Sequence, residues 1–170
     1  MFVLLVVAIM MAFGTFLQQR ITSFYHENFR NEMSLAFSAE LVEKVENAAN
    51  AENIKEILDT YSGRLGINSN RNFYILSKEN GEFIGGSTGT ESSVTIEKTS
   101  NIISAMADKV GDSVPTDLQY LDFAYPINDY IIYVKDTKEE LIDLVRTVLG
   151  IVWQALLIGI LISVVLGFIM

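Results

Sequence analysis

The glycines Gly81, Gly85, Gly86 and Gly89 form the densest cluster in the chain that could cradle a phosphate. A phosphate loop needs its last glycine followed by Lys and Ser or Thr at the start of a helix, and a dinucleotide fingerprint needs a strand–helix–strand context. Neither surrounds these glycines, which read instead as a turn followed by a loop. Asp108, Asp112, Asp117 and Asp122 recur often enough to gather a divalent cation. Their spacing does not fit a calcium loop, so they read as a solvated acidic surface. His26 is the single histidine and titrates near ~6.5 when unperturbed. It sits on a polar-flanked helix, where exposure is the expectation. No nucleophile–base pair and no metal-ligand set stands out. No catalytic residue, metal or cofactor is expected.

The distribution of charge carries more information. The chain has 170 residues, 12 of them Lys or Arg and 21 Asp or Glu, and every one lies between Arg20 and Arg146. Residues 1–19 and 147–170 carry none. An acidic middle of single-domain size is thus bracketed by two apolar ends. A net charge of −9 excludes a nucleic-acid partner, since phosphate neutralisation needs clustered Lys and Arg. The absence of cysteine excludes disulfides and thiolate chemistry.

Met1–Leu17 is apolar except for Thr15 and would extend roughly 25 Å as a helix. It has no basic flank before it, and no small-residue cleavage site follows it as in a signal peptide. It runs instead into an apolar-periodic helix, so residues 1–19 are expected to form a first transmembrane helix. Residues 147–170 are long enough for a second, with Trp153 at the headgroup level. Ala155, Gly159, Ser163 and Gly167 recur at four-residue steps, and small residues so spaced let helices approach closely in lipid. They are the expected helix contact, with a second copy or the first span as partner. Arg20 and Arg146 do not settle orientation, because loops longer than ~60 residues translocate largely regardless of charge.

Between these ends, residues 20–146 are expected to alternate helix and strand. Tyr25, Phe29, Met33, Phe37, Leu41, Val45 and Ala48 make one apolar stripe, which predicts a single long helix over 21–49. Asn50 caps a second helix that ends at Gly66. Asn72–Ser77 and Phe83–Gly86 form a hairpin around Asn80-Gly81. Ser87–Thr95 is expected as a loop. Ile102, Ile103, Met106 and Val110 predict a helix within 97–110. A second hairpin joins 119–127 to 129–136, and Thr137-Lys138-Glu139-Glu140 is a capping box that opens the exit helix. The expected fold class is α+β, a small antiparallel sheet flanked by helices.

The stretches Ile57–Ile67 (ILDTYSGRLGI), Arg71–Ser77 (RNFYILS) and Asp129–Glu140 (DYIIYVKDTKEE), with this bracketed arrangement, resemble the extracytoplasmic sensor region of Gram-positive membrane histidine kinases, a PAS-like domain also called Cache. The resemblance covers nearly the whole chain. It implies a sensor outside the cell, a multi-pass cell-membrane protein with two spans, a homodimer, and a small-molecule or protein stimulus. The kinase would lie beyond Met170, so this region has no catalytic activity of its own although the parent protein would be a histidine protein kinase. The PAS-like comparison also implies a ligand pocket between the sheet and the 87–110 segment, lined by Tyr74, Ser87, Tyr120 and Tyr125, with Arg71 as an anion contact. A chemoreceptor's ligand-binding portion and a standalone membrane-anchored interaction protein are the alternative functions.

Overall fold

The computed structural model describes residues 2–87, 96–113 and 120–169. By its internal packing the chain divides into two units. One holds Met1–Tyr25 with Glu139–Met170, and the other holds His26–Lys138.

The second unit begins within α1 (Phe2–Ala36). The long apolar stripe does not produce one helix over 21–49. Phe37 still donates its N–H to the Met33 carbonyl at 3.0 Å, but Ser38 then adopts an extended backbone (φ −64°, ψ 160°) and α2 restarts over Ala39–Glu46. The break turns the Phe37 ring onto Tyr125, stacked at 4.9 Å, and beside Phe123 at 5.3 Å. Stacking on the sheet offsets the lost helical turn. Asn50 caps α3 (Ala51–Thr60) by accepting the Asn53 N–H at 3.0 Å, as expected. The short α4 (Ser62–Leu65) ends at Gly66, whose φ of 65° is the left-handed conformation that glycine adopts without penalty.

Four strands follow as two hairpins, β1 (Arg71–Ser77) with β2 (Phe83–Gly86), and β3 (Leu121–Ile127) with β4 (Tyr130–Asp136). Both turns form where Asn80-Gly81 and Asn128-Asp129 predict them, with Gly81 at φ 72° and Asn128 at φ 51°. All pairs are antiparallel and the order is β2-β1-β4-β3, so the two hairpins join through their inner strands. The register places Phe73, Ile75, Phe123, Ile127, Ile132 and Val134 on one face, against α1–α4. The other face carries Leu76, Ala124, Ile131 and Tyr133, covered by α5 (Ser100–Met106). Central strands buried on both faces lose the polar alternation of a one-sided sheet, as the apolar runs in β1 and β4 show.

The helix expected within 97–110 is confined to Ser100–Met106, with Thr99 as its N-cap and Asp108 at φ 60° beyond its end. Ile102 and Ala105 are its buried positions, whereas Ile103 and Val110 are exposed. The apolar spacing there mixed core and surface residues.

The first unit contains the beginning of α1 and α6 (Glu139–Ile169). The backbone passes Lys138 at φ 58° before α6 starts at Glu139. Among the described residues, Glu139–Ile162 is the helical stretch long and apolar enough to cross a membrane, by length and composition, and almost all of it is unburied. The expectation of two spans is therefore met for one stretch only. Within this unit Gly14 of α1 lies against α6, since a Cβ there would sit 3.8 Å from both Leu149 and Val152.

Candidate functional site

The expected pocket falls on the sheet face beneath α5. Among the described residues this face is packed by the protein's own side chains: Leu76, Ile102, Ala105, Ala124, Ile131 and Tyr133 are essentially without solvent contact. Tyr74 stands directly across from Tyr133, with ring centroids 6.0 Å apart, and meets Phe83 edge-on at 6.1 Å. Burial pushes the Tyr74 phenol above its ordinary pKa.

At one edge of this layer the packing becomes polar. Asp122 is the second residue of β3 and is 4% exposed. Its Oδ2 accepts from the Thr99 hydroxyl at 2.6 Å and from the Tyr133 hydroxyl at 3.3 Å, and its Oδ1 accepts from Asn101 Nδ2 at 2.7 Å. Asn101, fully buried, also donates from Nδ2 to the Asp122 carbonyl (3.0 Å) and to the Ser113 carbonyl (2.8 Å). Its Oδ1 accepts from the Ser113 amide and hydroxyl at 3.0 and 2.6 Å. Two side chains thus tie the start of α5 and the Gly111–Ser113 segment to β3. Gly111 bridges to Ala124 with bonds of 2.8 and 2.9 Å, and its backbone passes so close to Asn101 that a Cβ would overlap it. Burial and the Asp122 charge together push the Tyr133 phenol far above its ordinary pKa. A buried carboxylate is costly unless hydrogen-bonded, and three side-chain donors satisfy this one.

The opposite face carries a second charged centre around Arg71, which is 8% exposed. Its Nε donates to Asp136 at 2.9 Å, and its Nη1 donates to Glu32 of α1 at 2.8 Å and to the Leu65 carbonyl at 3.3 Å. The guanidinium lies over the Phe29 ring, 5.0 Å from its centroid. Asp136 also accepts the Lys138 amide at 2.8 Å. Burial disfavours the Arg71 charge, but the hydrogen bonds and charges of Glu32 and Asp136 outweigh it and raise its pKa further.

The five expected pocket residues are therefore not gathered into one site. Arg71 faces α1 and is committed to two carboxylates of the protein itself. Tyr125 lies on that same face and stacks on Phe37. Tyr74 belongs to the layer under α5. Ser87 closes the end of β2, accepting from the Phe73 amide at 3.1 Å and donating to Asn72 Oδ1 at 3.0 Å. Tyr120 sits at the start of β3 with the Lys135 ammonium 4.2 Å above its ring, and burial raises its pKa. The expected loop over 87–95 lies outside the described residues beyond Ser87.

The acidic set also separates. Asp108 pairs with Lys78, Asp112 pairs with Arg30 at 2.8 Å, Asp122 is the buried member, and Asp117 lies outside the described residues. Asp122 is the residue that sequence reasoning misplaced. Its signal was position, since a carboxylate flanked by Leu121 and Phe123 in a strand buried on both faces has no route to water.

His26 is half-buried rather than exposed. Its Nε2 is enclosed without a hydrogen-bond partner, and burial, then the Lys138 charge, lower its pKa. In α6, Ala155 is exposed and a Cβ at Gly159 would meet nothing within 4 Å, while the face that meets α1 runs through Leu149 and Val152. The side chains of Ser163 and Gly167 lie outside the described residues. A groove of about 200 Å³ between α1 and α6 is lined chiefly by Met10, Met11, Gly14, Val152 and Leu156, with Thr15, Gln18 and Trp153 as its polar members.

Compared with known proteins, the chain matches no family model, no curated protein and no solved structure.

Proposed function

We propose that this chain is the sensor and transmembrane portion of a two-component histidine kinase. The PAS-like domain over 20–146 lies outside the cell, and helices over 1–19 and 147–170 cross the membrane. The observation that carries this reading is a mixed α+β domain led into by a 35-residue helix and followed by a 31-residue helix, the latter with an apolar stretch of membrane-spanning length. Long helices in direct continuity with a folded domain suit the transmission of a displacement, which a flexible linker would dissipate. A homodimer in the bilayer passes the shift through the second span. The filled face beneath α5 favours a stimulus acting on the domain's surface over a small molecule held beneath that helix.

Reading the coding frame past codon 170 tests the assignment. A linker module, a helix bearing a phosphorylatable histidine and an ATP-binding domain are expected. A long methyl-accepting coiled coil would instead make this a chemoreceptor, and a stop codon would leave a membrane-anchored interaction protein.

A further inference from the structure

We propose that Arg71, Glu32 and Asp136 form a clasp through which α1 and the strand end leading to α6 respond as one element. Glu32 lies on α1, Arg71 is the first residue of β1 and Asp136 is the last residue of β4, with two residues between it and the start of α6. One guanidinium holds both carboxylates, at 2.8 and 2.9 Å, from separate nitrogens. A planar fork can do this, whereas an ammonium group acts as a single point charge.

The surroundings are shaped for the guanidinium. Phe29 lies beneath it, the Leu65 carbonyl accepts from it, and Gly66 leaves the space that a Cβ would take from its Nη1. Gly66 is thus required twice, for its φ of 65° and for the room it gives Arg71. On the far side the β4 end is stitched to the segment before β1. The Thr137 amide donates to the Asn70 carbonyl at 2.9 Å, and Asn68 Oδ1 accepts the Arg71 amide at 3.0 Å. A movement of α1 that shifts Glu32 therefore pulls on the residue to which Asp136 is bound. Lys138, 7% exposed, donates its amide to the same carboxylate at 2.8 Å.

The clasp deepens the sensor reading and takes its biological meaning from it, since it is the polar route from the lead-in helix to the exit. Its test does not depend on that reading. Hydrogen exchange is measured on the full chain in lipid nanodiscs, comparing wild type with Glu32→Ala. Glu32 touches neither β4 nor Thr137 through any bond given above; within α1 the substitution removes the exposed hydrogen bond from Asn28 at 2.6 Å, while Ala is itself a good helix former. Exchange at Val134–Lys138 is expected to rise about twofold to fivefold, the range for a half-exposed ion pair. The centre of the sheet, at Ile75 and Ile132, is expected to stay unchanged. In the Arg71→Met background, Glu32→Ala is expected to have no further effect at Val134–Lys138, because the two substitutions break one connection. An effect of Glu32→Ala confined to α1, or one spread evenly over the sheet, overturns the clasp while leaving the sensor assignment standing. If Arg71→Met does not fold, the single Glu32→Ala comparison decides alone.

Discussion

Removing the Asp122 carboxylate provides a quantitative test of the polar layer beneath α5. In Asp122→Ala the acceptor is lost for the Thr99 hydroxyl at 2.6 Å, the Asn101 amide at 2.7 Å and the Tyr133 hydroxyl at 3.3 Å. Asn101 retains the Asp122 and Ser113 carbonyls at 3.0 and 2.8 Å, so it is not stranded. The Thr99 and Tyr133 hydroxyls can interact with each other, which leaves one buried hydroxyl hydrogen without an acceptor. Hydrogen bonds to a charged group contribute about 1.5–3 kcal/mol, and a stranded buried donor costs about 1–3 kcal/mol. The net loss is about 2–4 kcal/mol. Asp122→Asn keeps the shape and one acceptor and is expected to cost about 1–2 kcal/mol. Native-state hydrogen exchange of the β4 amides at Ile131–Val134 reads the opening free energy, and the Ala variant should accelerate it about 30- to 1000-fold. An Asp122→Ala loss below about 1 kcal/mol, or an Asn variant as damaging as Ala, would refute the claim that this carboxylate organises the layer.

Three further outcomes follow from the same structure. Tyr133 titrates higher when folded than when unfolded, so its contribution is complete below ~10 and is lost as pH rises above that value; Tyr133→Phe should flatten the alkaline limb of a stability–pH curve. Glu40 is held down to about 2 by the Tyr61 hydroxyl, then by Lys44, so its contribution is complete above 4.5 and drains as pH falls toward 2. Glu40→Gln should remove that part of the acid loss in a pH series of thermal unfolding. Gly111→Ala forces a methyl onto the Asn101 backbone and should cost about 1–3 kcal/mol, visible as faster exchange of the Ala124 amide.

Local signals with a stereochemical cause were legible in the sequence. Asn50, Gly66, Asn80-Gly81 and Asn128-Asp129 each mark a cap or turn that forms where expected, because positive φ or a cap acceptor restricts the residue types. The antiparallel pairing followed from the two hairpins. The end of α1 was not legible, since the apolar stripe continues through Phe37 into α2, and the stacking of Phe37 on Tyr125 that accompanies the turn at Ser38 is a tertiary contact. The expected pocket residues are separated for a related reason. Arg71 and Tyr125 alternate onto one face of the sheet while Tyr74 lies on the other, and the pairing register that separates them is a tertiary property. Arg71 looked like an anion contact because its two carboxylates are remote in sequence, at positions 32 and 136.

The most direct test of an extracytoplasmic domain held by two spans uses the chain's lack of cysteine. Single cysteines introduced at Glu56 and Glu97, both exposed, give sites whose labelling has no native background. Intact cells expressing each variant are treated with a membrane-impermeant maleimide, and lysed cells give the reference. The account predicts equal labelling of both sites before and after lysis. Labelling that appears only after lysis would place the domain inside the cell and contradict it.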